Sequence, residues 1–199
     1  MPPRRLEPHG KLNFGVPVTP RDAATVVVVR GGAEMLEVLL LRRNPGARFM
    51  GGVWVFPGGA VDEGETIEEA AVREVAEEIA VDLPGPEALV PFSRWITPEQ
   101  VAMRFDTYFF LARLPDGAEP VADGTELVDM RWYAPREAIQ ADIELVTPTI
   151  KTLEAIGRFE TVDALFEGVT GREVRPVTPQ VVFEGEVARV VLPGEPGFA

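Results

Sequence analysis

The sequence predicts an α/β (α+β) fold in which one mixed β-sheet is sandwiched between helices. Nearly continuous β-branched runs, such as residues 25–29, are typical of strands that are buried on both faces of a sheet. Residues 66–79 instead place apolar side chains at the spacing of an amphipathic helix. With 199 residues, of which 46% are hydrophobic, the chain can form one substantial core and an appendage, but not two ordinary domains.

Taken in order, the chain divides into three segments. Residues 1–22 are rich in proline and lack periodicity, which predicts an irregular N-terminal arm. Residues 23–145 form the predicted core domain, and residues 146–199 form a C-terminal extension of helices and a hairpin that packs on it. The predicted strands cover residues 23–30, 36–43, 53–56, 89–97, 104–112 and 126–133. The predicted helices cover residues 66–79, 135–141, 147–158 and 161–167, and the hairpin pairs 181–183 with 187–192.

Local signals mark where several of these elements begin. Thr66 followed by Glu69 is a capping-box pattern, so we expect the first helix to begin there. Threonines also open the later helices, at Thr147 and Thr161. Before the first helix, the glycines at 58–59 and 64 predict a loop in which a ligand can approach the main chain closely.

The composition excludes several classes of function. The net charge of −13, from 19 basic and 32 acidic residues, argues against a nucleic-acid partner. The absence of cysteine excludes disulfides, thiolate metal sites and cysteine nucleophiles. The single histidine, His9, lies in the N-terminal arm and gives no support for serine-histidine catalysis. No apolar run has the length of a membrane helix, so we expect a soluble, cytoplasmic protein without a membrane partner.

The first helix carries the clearest chemical signal in the chain. Glu74, Glu77 and Glu78 stand at i, i+3 and i+4, so their carboxylates share one face and repel each other. A hard divalent cation takes oxygen ligands and would offset that repulsion. An acidic amphipathic helix is also typical of a solvated surface, and spacing alone leaves both interpretations open. The opposite, core-facing stripe consists of Ile67, Ala70, Ala71, Val75 and Ile79.

The order of residues in this stretch resembles the signature of the Nudix hydrolases, G-x5-E-x7-R-E-U-x-E-E-x-G-U, where U is a bulky aliphatic residue. Residues 59–81 match it in register except at Ala80, where the signature has glycine. A glycine there would suit a left-handed helix end, so the substitution concerns the end of the helix and not the carboxylates. The matching positions are Gly59, Glu65, Arg73, Glu74, Val75, Glu77, Glu78 and Val81.

The preceding segment resembles the additional signature of the coenzyme A diphosphatase branch of this family, the bacterial relatives of the peroxisomal enzyme. That signature, L-L-T-x-R-[SA]-x3-R-x3-G-x3-F-P-G-G, places Arg43 and Arg48 next to the acidic helix. Their guanidinium groups can bind phosphate oxygens, although basic residues beside an acidic site also simply balance charge. Leu41 and Asn44 depart from the pattern. The matching positions are Leu39, Leu40, Arg43, Arg48, Gly52, Phe56, Pro57, Gly58 and Gly59.

The resemblance implies a Nudix fold and a set of residue roles. Glu74, Glu77 and Glu78, with the main-chain carbonyl of Gly58, would hold Mg²⁺ or Mn²⁺. Arg73 and Glu65 would form an ion pair that supports the Nudix box, together with Gly59.

Outside the box, many members of the family use a further carboxylate as metal ligand or base. Glu126 is the candidate here, with Asp129 behind it, although a solvated strand edge is the simpler interpretation of Glu126. By this resemblance, one of the box glutamates or Glu126 would accept the proton of the attacking water. In the aromatic-rich strand at 104–112, Phe105 is the candidate contact for substrate, whereas the other aromatics fit a core.

The implied activity is metal-dependent hydrolysis of a nucleoside diphosphate linked to another moiety. The branch resemblance implies coenzyme A or acyl-CoA as the small-molecule nucleotide substrate, cleaved to 3′,5′-ADP and (acyl-)4′-phosphopantetheine. ADP-ribose, NADH or another nucleotide is the alternative within the same chemistry. A catalytically silent, nucleotide-sensing Nudix domain is the alternative of another class. Homodimers are common in the family, so a homodimer is the expected assembly.

Overall fold

A computed structural model describes residues 11–32, 35–47, 50–185 and 187–198. These residues form ten strands and four α-helices, with a short 3-10 turn at Pro86–Ala88. The strands are β1 (Arg21–Arg30), β2 (Glu37–Arg43), β3 (Trp54–Val55), β4 (Gly58–Ala60), β5 (Val90–Ile96), β6 (Phe105–Arg113), β7 (Leu127–Tyr133), β8 (Pro176–Val177), β9 (Gln180–Glu184) and β10 (Val187–Val191). The helices are α1 (Ile67–Ile79), α2 (Pro135–Gln140), α3 (Thr147–Ile156) and α4 (Val162–Val169).

The first eight strands form one mixed sheet, as the sequence predicts. Its main order is β3-β2-β1-β6-β5-β8, with β4 paired to β1 and β7 paired to β2. The long central strands β1 and β6 are parallel, and β2, β4 and β5 run antiparallel to the central strand that each pairs with, whereas β8 pairs with β5 in parallel. The β9–β10 hairpin forms a separate two-stranded sheet. Because β1 lies in the middle, both of its faces are covered, which explains its continuous run of valines.

Helices pack on both faces of the sheet, so the predicted sandwich is confirmed. On one face, Val26 and Val28 of β1 pack with the apolar stripe of α1, including Val75 and Ile79. On the other face, Val27 and Val29 pack with α3 and α4. The side chains that these two helices bury there are Ile150, Leu153, Ile156, Val162, Leu165 and Val169. The helices that follow residue 145 therefore bury their apolar faces against the central sheet.

Helix α1 begins as the sequence predicts and ends in an unusual way. The Thr66 hydroxyl accepts from the Glu69 N–H, while the Glu69 carboxylate accepts from the Thr66 N–H, so the capping box is complete. At the other end, Ala80 adopts the left-handed conformation with φ 54° and ψ 37°. The chain thus makes the helix end that the Nudix signature assigns to glycine, but makes it with alanine. A Cβ in this conformation is strained.

Ala80→Gly is therefore expected to raise the free energy of unfolding by about 1 kcal/mol, because glycine adopts the left-handed region without a Cβ penalty. Thermal unfolding should shift upward by about 2–4 °C for a protein of this size. Ala76→Gly, within α1, is the matched control and should cost about 1 kcal/mol, since its backbone is helical. Unchanged or lower stability of Ala80→Gly would contradict this explanation of the helix end.

Three local predictions are corrected by the structure. The glycine segment before α1, predicted as a loop, contains β4, which pairs residues 58–60 with residues 23–25 of β1. Strand β8, which pairs in parallel with β5, was not predicted, because its two residues carry no periodicity. Thr147 does not cap α3: Val146 is the N-cap residue and makes no side-chain cap, whereas Thr161 does cap α4.

The segments at the two ends of the chain contact the same side of the molecule. Leu12 forms an isolated bridge with Val101, and the Phe14 ring lies 6.0 Å from the Phe183 ring of β9. The arm is otherwise irregular from Lys11 to β1, and residues 1–10, with His9, lie outside the described residues. In the described part of the chain, no helix is long and apolar enough to cross a membrane.

Candidate active site

Helix α1 brings its glutamates to the glycine segment of β4. The Glu78 carboxylate accepts a hydrogen bond of 2.8 Å from the Gly58 N–H. Glu74 packs against Gly59, where any Cβ would collide with the Glu74 carboxylate. Gly58 has φ 154°, and a Cβ there would collide with the backbone of β1. The close approach of the β1 backbone therefore requires glycine at position 58, and glycine at position 59 leaves the space that the Glu74 carboxylate occupies.

Arg73 connects the loop before α1 to the acidic face of the helix. Its Nε and Nη2 atoms donate to the two Glu65 carboxylate oxygens at 3.1 and 2.7 Å, and Nη2 also donates to the Ala60 carbonyl at 3.2 Å. Its Nη1 atom donates to Glu74 at 2.8 Å and to Glu77 at 3.2 Å. The hydrogen bond to Glu65 is the main cause of the raised pKa of Arg73. One side chain thus holds the loop and two of the three glutamates in place.

Burial disfavours the ionised forms of Glu74 and Glu78. It raises the pKa of Glu78 to about 8, against a smaller lowering by the Gly58 N–H. The neighbouring carboxylates of Glu74 and Glu126 contribute in the same direction as burial. The pKa of Glu74 is also raised, again chiefly by burial and despite its contact with Arg73. Glu74 thus has a counter-charge in Arg73, whereas Glu78 forms no ion pair with the described residues.

This donor set fits a hard divalent cation, because all of its groups are oxygen donors and negative charge is in excess. The carboxylates share one face as predicted, but their contacts differ. Glu74 and Glu77 accept hydrogen bonds from Arg73, whereas Glu78 accepts one from the Gly58 N–H. Accordingly, no three acidic or histidine side chains converge closely enough to enclose a metal ion within the described ranges. The observed contact of Gly58 with Glu78 is through its N–H, and a role for its carbonyl stays a prediction.

The raised pKa of Glu78 predicts that Mg²⁺ binding is linked to proton release. Below pH 8 the carboxyl holds its proton, and a cation requires the carboxylate, so Mg²⁺ affinity should rise with pH and level off above about 8. Calorimetric titration at pH 7 in two buffers of different ionisation enthalpy should show release of about one proton per site. At pH 9 no release is expected, and Glu78→Gln should abolish it at pH 7. Equal heats in both buffers at pH 7 would contradict the assignment.

Arg43 is a cation without an ion-pair partner in the described part of the chain. It ends β2, and its side chain lines the same cavity as Glu78, where its charge lowers the Glu78 pKa. Its Nε atom is shielded from solvent and has no hydrogen-bond partner there. If Arg43 only balanced the negative charge of the site, we would expect it to pair closely with a carboxylate. The ion pairs of the acidic face are instead made by Arg73, and Arg43 forms none with the described residues. Arg48 lies outside the described residues.

A tight turn positions Glu126 beside Glu78. The Asp123 carboxylate accepts from the backbone N–H groups of Glu126 and Leu127 at 3.0 and 2.8 Å. These donors lower the pKa of Asp123 although burial, the largest single influence, raises it. The N–H of Asp123 in turn donates to the Glu78 carbonyl at 3.1 Å, which joins the turn to the end of α1. The sequence analysis did not identify Asp123. The Asp123-Gly124 pair is typical of a turn and could have indicated that the Asp123 side chain binds nearby backbone N–H groups.

Asn44, which departs from the coenzyme A diphosphatase signature, also supports this turn. Its backbone N–H donates to the Glu126 carbonyl at 2.7 Å, and its side-chain amide donates to the Thr125 carbonyl at 3.0 Å. The residue that follows Arg43 therefore fixes the loop that carries Glu126. Asp129, the other candidate carboxylate, pairs with Arg131 at 3.1 Å and does not line the cavity.

A cavity of about 660 Å³ joins these groups to the face of the sheet that α3 covers. Arg43, Glu126 and the three glutamates line one end of it, and Phe105 lines the sheet side. This volume lies within the range of small-molecule sites, about 300–1,000 Å³. The predicted residues other than Asp129 and Arg48 therefore border one continuous space or, like Glu65 and Arg73, support its walls.

Comparison with known proteins agrees with this geometry. The profile described as NUDIX domain matches residues 19–155, which is more than half of the chain. The chain belongs to the Nudix hydrolase family. The crystal structure of a Nudix hydrolase from Alicyclobacillus acidocaldarius superposes with a TM-score of 0.67 at 26% identity, covering 78% of this chain and 99% of that one.

Curated relatives share the family but differ in their named substrates. The NAD-capped RNA hydrolase NudC of Stutzerimonas stutzeri is 33% identical over 60% of this chain and 39% of its own length. A putative 8-oxo-dGTP diphosphatase of Bacillus subtilis is 31% identical over 57% of this chain and 66% of its own length. This Nudix chain thus spans less than two thirds of the length of either relative. Their names identify the common chemistry, and they do not identify a common substrate.

Proposed function

We propose that this Nudix protein hydrolyses the diphosphate bond of coenzyme A or acyl-CoA, releasing 3′,5′-ADP and (acyl-)4′-phosphopantetheine. The observation that carries the proposal is Arg43, a cation that forms no ion pair with the described residues and lines the cavity beside Glu78. Its position in the sequence matches the coenzyme A diphosphatase signature. A guanidinium group that lacks an ion-pair partner is well suited to bind a diphosphate oxygen.

The proposed metal ligands are Glu74, Glu77, Glu78 and the Gly58 carbonyl, with Mg²⁺ or Mn²⁺ as the ion. A bound divalent ion would offset phosphate charge and lower the pKa of a coordinated water. Hydrolysis breaks one P–O bond of the diphosphate and forms one P–O bond to the oxygen of water, whose proton passes to a base. Glu126 is the proposed base, because its turn holds it next to Glu78 at the edge of the cavity.

A second candidate substrate is an NAD-type dinucleotide or ADP-ribose. It is favoured by the similarity to a relative named as an NAD-capped RNA hydrolase. Both substrates contain the same diphosphate group, so the metal ligands do not distinguish them. The net charge of −13 favours a small nucleotide over a capped RNA, since a polyanionic partner would be repelled.

The test is a substrate panel with the purified protein and Mg²⁺: coenzyme A, acetyl-CoA, NADH, ADP-ribose and 8-oxo-dGTP. We expect the highest kcat/KM for coenzyme A or acetyl-CoA, with 3′,5′-ADP as the nucleotide product. Preference for NADH or ADP-ribose would replace the first proposal with the second. Binding of these nucleotides without any turnover would identify a silent sensor domain.

A further inference from the structure

The cavity extends from the glutamates across the width of the sheet. Within one row, Ala60 of β4 pairs with Ala23 of β1, and Ala23 pairs with Thr107 of β6. Thr107 in turn pairs with Trp95 of β5. Neighbouring strands lie about 4.8 Å apart, so this row is about 14 Å long. The side chains in its middle are small, which leaves space between the sheet and α3 for an extended group.

The end of the cavity remote from the glutamates differs from the catalytic end in its chemistry. This distal compartment is lined by Trp95, Thr97, Val101, Thr107, Pro179 and Val190, none of which carries a charge. The charged lining residues lie at the catalytic end, except for Arg21, which is exposed at the start of β1. Burying a charged group against an uncharged lining is costly, so the compartment itself favours a neutral group, and Arg21 lies at its edge, where β1 pairs it with Phe105.

Trp95 provides one specific feature in this apolar wall. The residue is only 8% exposed, and its Nε1 atom is shielded from solvent without a hydrogen-bond partner in the described residues. A buried donor without an acceptor is unfavourable, because it has lost its hydrogen bonds to water. A carbonyl oxygen on a bound group that reached this atom would be a stabilising partner for the N–H.

The C-terminal extension closes the distal compartment. Strand β8 pairs in parallel with β5, and the register places Val177 beside Trp95. The chain continues from there to Pro179 and then into the β9–β10 hairpin, whose Val190 also lines the compartment. The residues beyond the family match at 19–155 thus form part of the cavity wall.

We infer that the distal compartment binds the neutral, amide-containing chain of the substrate, with a chain carbonyl accepting a hydrogen bond from the Trp95 indole. The inference rests on the proposed function and places the pantetheine arm of coenzyme A there, with the diphosphate at the glutamates. The competing occupant is the nucleoside. The nucleoside of coenzyme A carries the charged 3′-phosphate, which the uncharged lining of this compartment disfavours.

Fragment binding tests this assignment without requiring turnover. The chain has three tryptophans, so a ¹⁵N-labelled sample gives three indole N–H signals, and Trp95→Phe identifies one of them by its loss. Pantetheine, which carries no phosphate, should shift the Trp95 signal, whereas 3′,5′-ADP should leave it unchanged. A shift with 3′,5′-ADP, or no shift with saturating pantetheine, would overturn the inference.

Kinetics with two variants separate the compartment from the catalytic end. Trp95→Phe should raise KM for coenzyme A about three- to tenfold, the equivalent of one hydrogen bond, with little change in kcat. Thr107→Phe should fill the compartment and raise that KM at least about tenfold. Inhibition by 3′,5′-ADP should remain as in the wild type in both variants. Trp132→Phe, a matched substitution in the core on the α1 side, should change none of these values.

The two proposals fail in different ways. If the wild type does not hydrolyse coenzyme A, the proposed substrate is wrong, and the fragment spectra still decide what the compartment binds. If coenzyme A is hydrolysed and both variants keep the wild-type KM, the proposed function stands and the distal assignment is wrong.

Discussion

Replacing Glu78 with glutamine is expected to reduce kcat by about 10²–10³-fold while leaving the fold intact. Glu78 is the inner carboxylate of the acidic face, and it contacts the Gly58 N–H at 2.8 Å. Glutamine has nearly the same shape but brings no negative charge, so the site should hold a divalent ion poorly. Burial already disfavours the charged form, which raises its pKa to about 8. The loss of charge should therefore be tolerated by the fold better than by the activity.

Steady-state kinetics at saturating Mg²⁺, together with thermal unfolding in the absence of metal, would test this expectation. Glu68→Gln is the matched control, because Glu68 lies on the same helix but is exposed and outside the cavity. It should retain wild-type activity. Turnover by Glu78→Gln close to the wild-type rate would exclude Glu78 from the catalytic machinery. A large loss of structure in that variant would show that the residue is needed for folding instead.

Replacing Arg43 with alanine should lower kcat/KM for coenzyme A by about 10- to 100-fold, the equivalent of one charge-assisted hydrogen bond. The effect on folding should be small, because Arg43 forms no ion pair with the described residues and its Nε lacks a partner. Arg43→Lys should recover only part of the loss, because an ammonium group lacks the planar fork that fits two phosphate oxygens.

Arg42→Ala is the control for this prediction. Arg42 precedes Arg43 on the same strand, is exposed, and does not line the cavity. Kinetics of the three variants at constant ionic strength would separate a specific contact from general charge balance. If Arg42→Ala and Arg43→Ala lose activity equally, then Arg43 acts through the net charge of the region and not by binding the diphosphate.

Local sequence determined the chemistry of helix α1. The capping box and the apolar stripe follow from contacts three or four residues apart, which a sequence displays directly. The order of residues from Gly59 to Val81 resembles the Nudix signature, and the profile match at residues 19–155 shows the family. The long strands were predictable for a similar reason, since their β-branched runs reflect burial on both faces.

Only the tertiary structure decided what surrounds the acidic face. Asp123 and Asn44 lie far apart in the sequence, yet both hold the turn that carries Glu126. The distal compartment requires the register across four strands and the return of the C-terminal extension beside β5. Such contacts depend on how distant segments pack, and a contact between two segments produces no periodic pattern within the sequence of either one. Charge spacing along a single helix therefore predicted the acidic end of the cavity, whereas only the assembled sheet defined the distal end, where we infer that the neutral chain of the substrate binds.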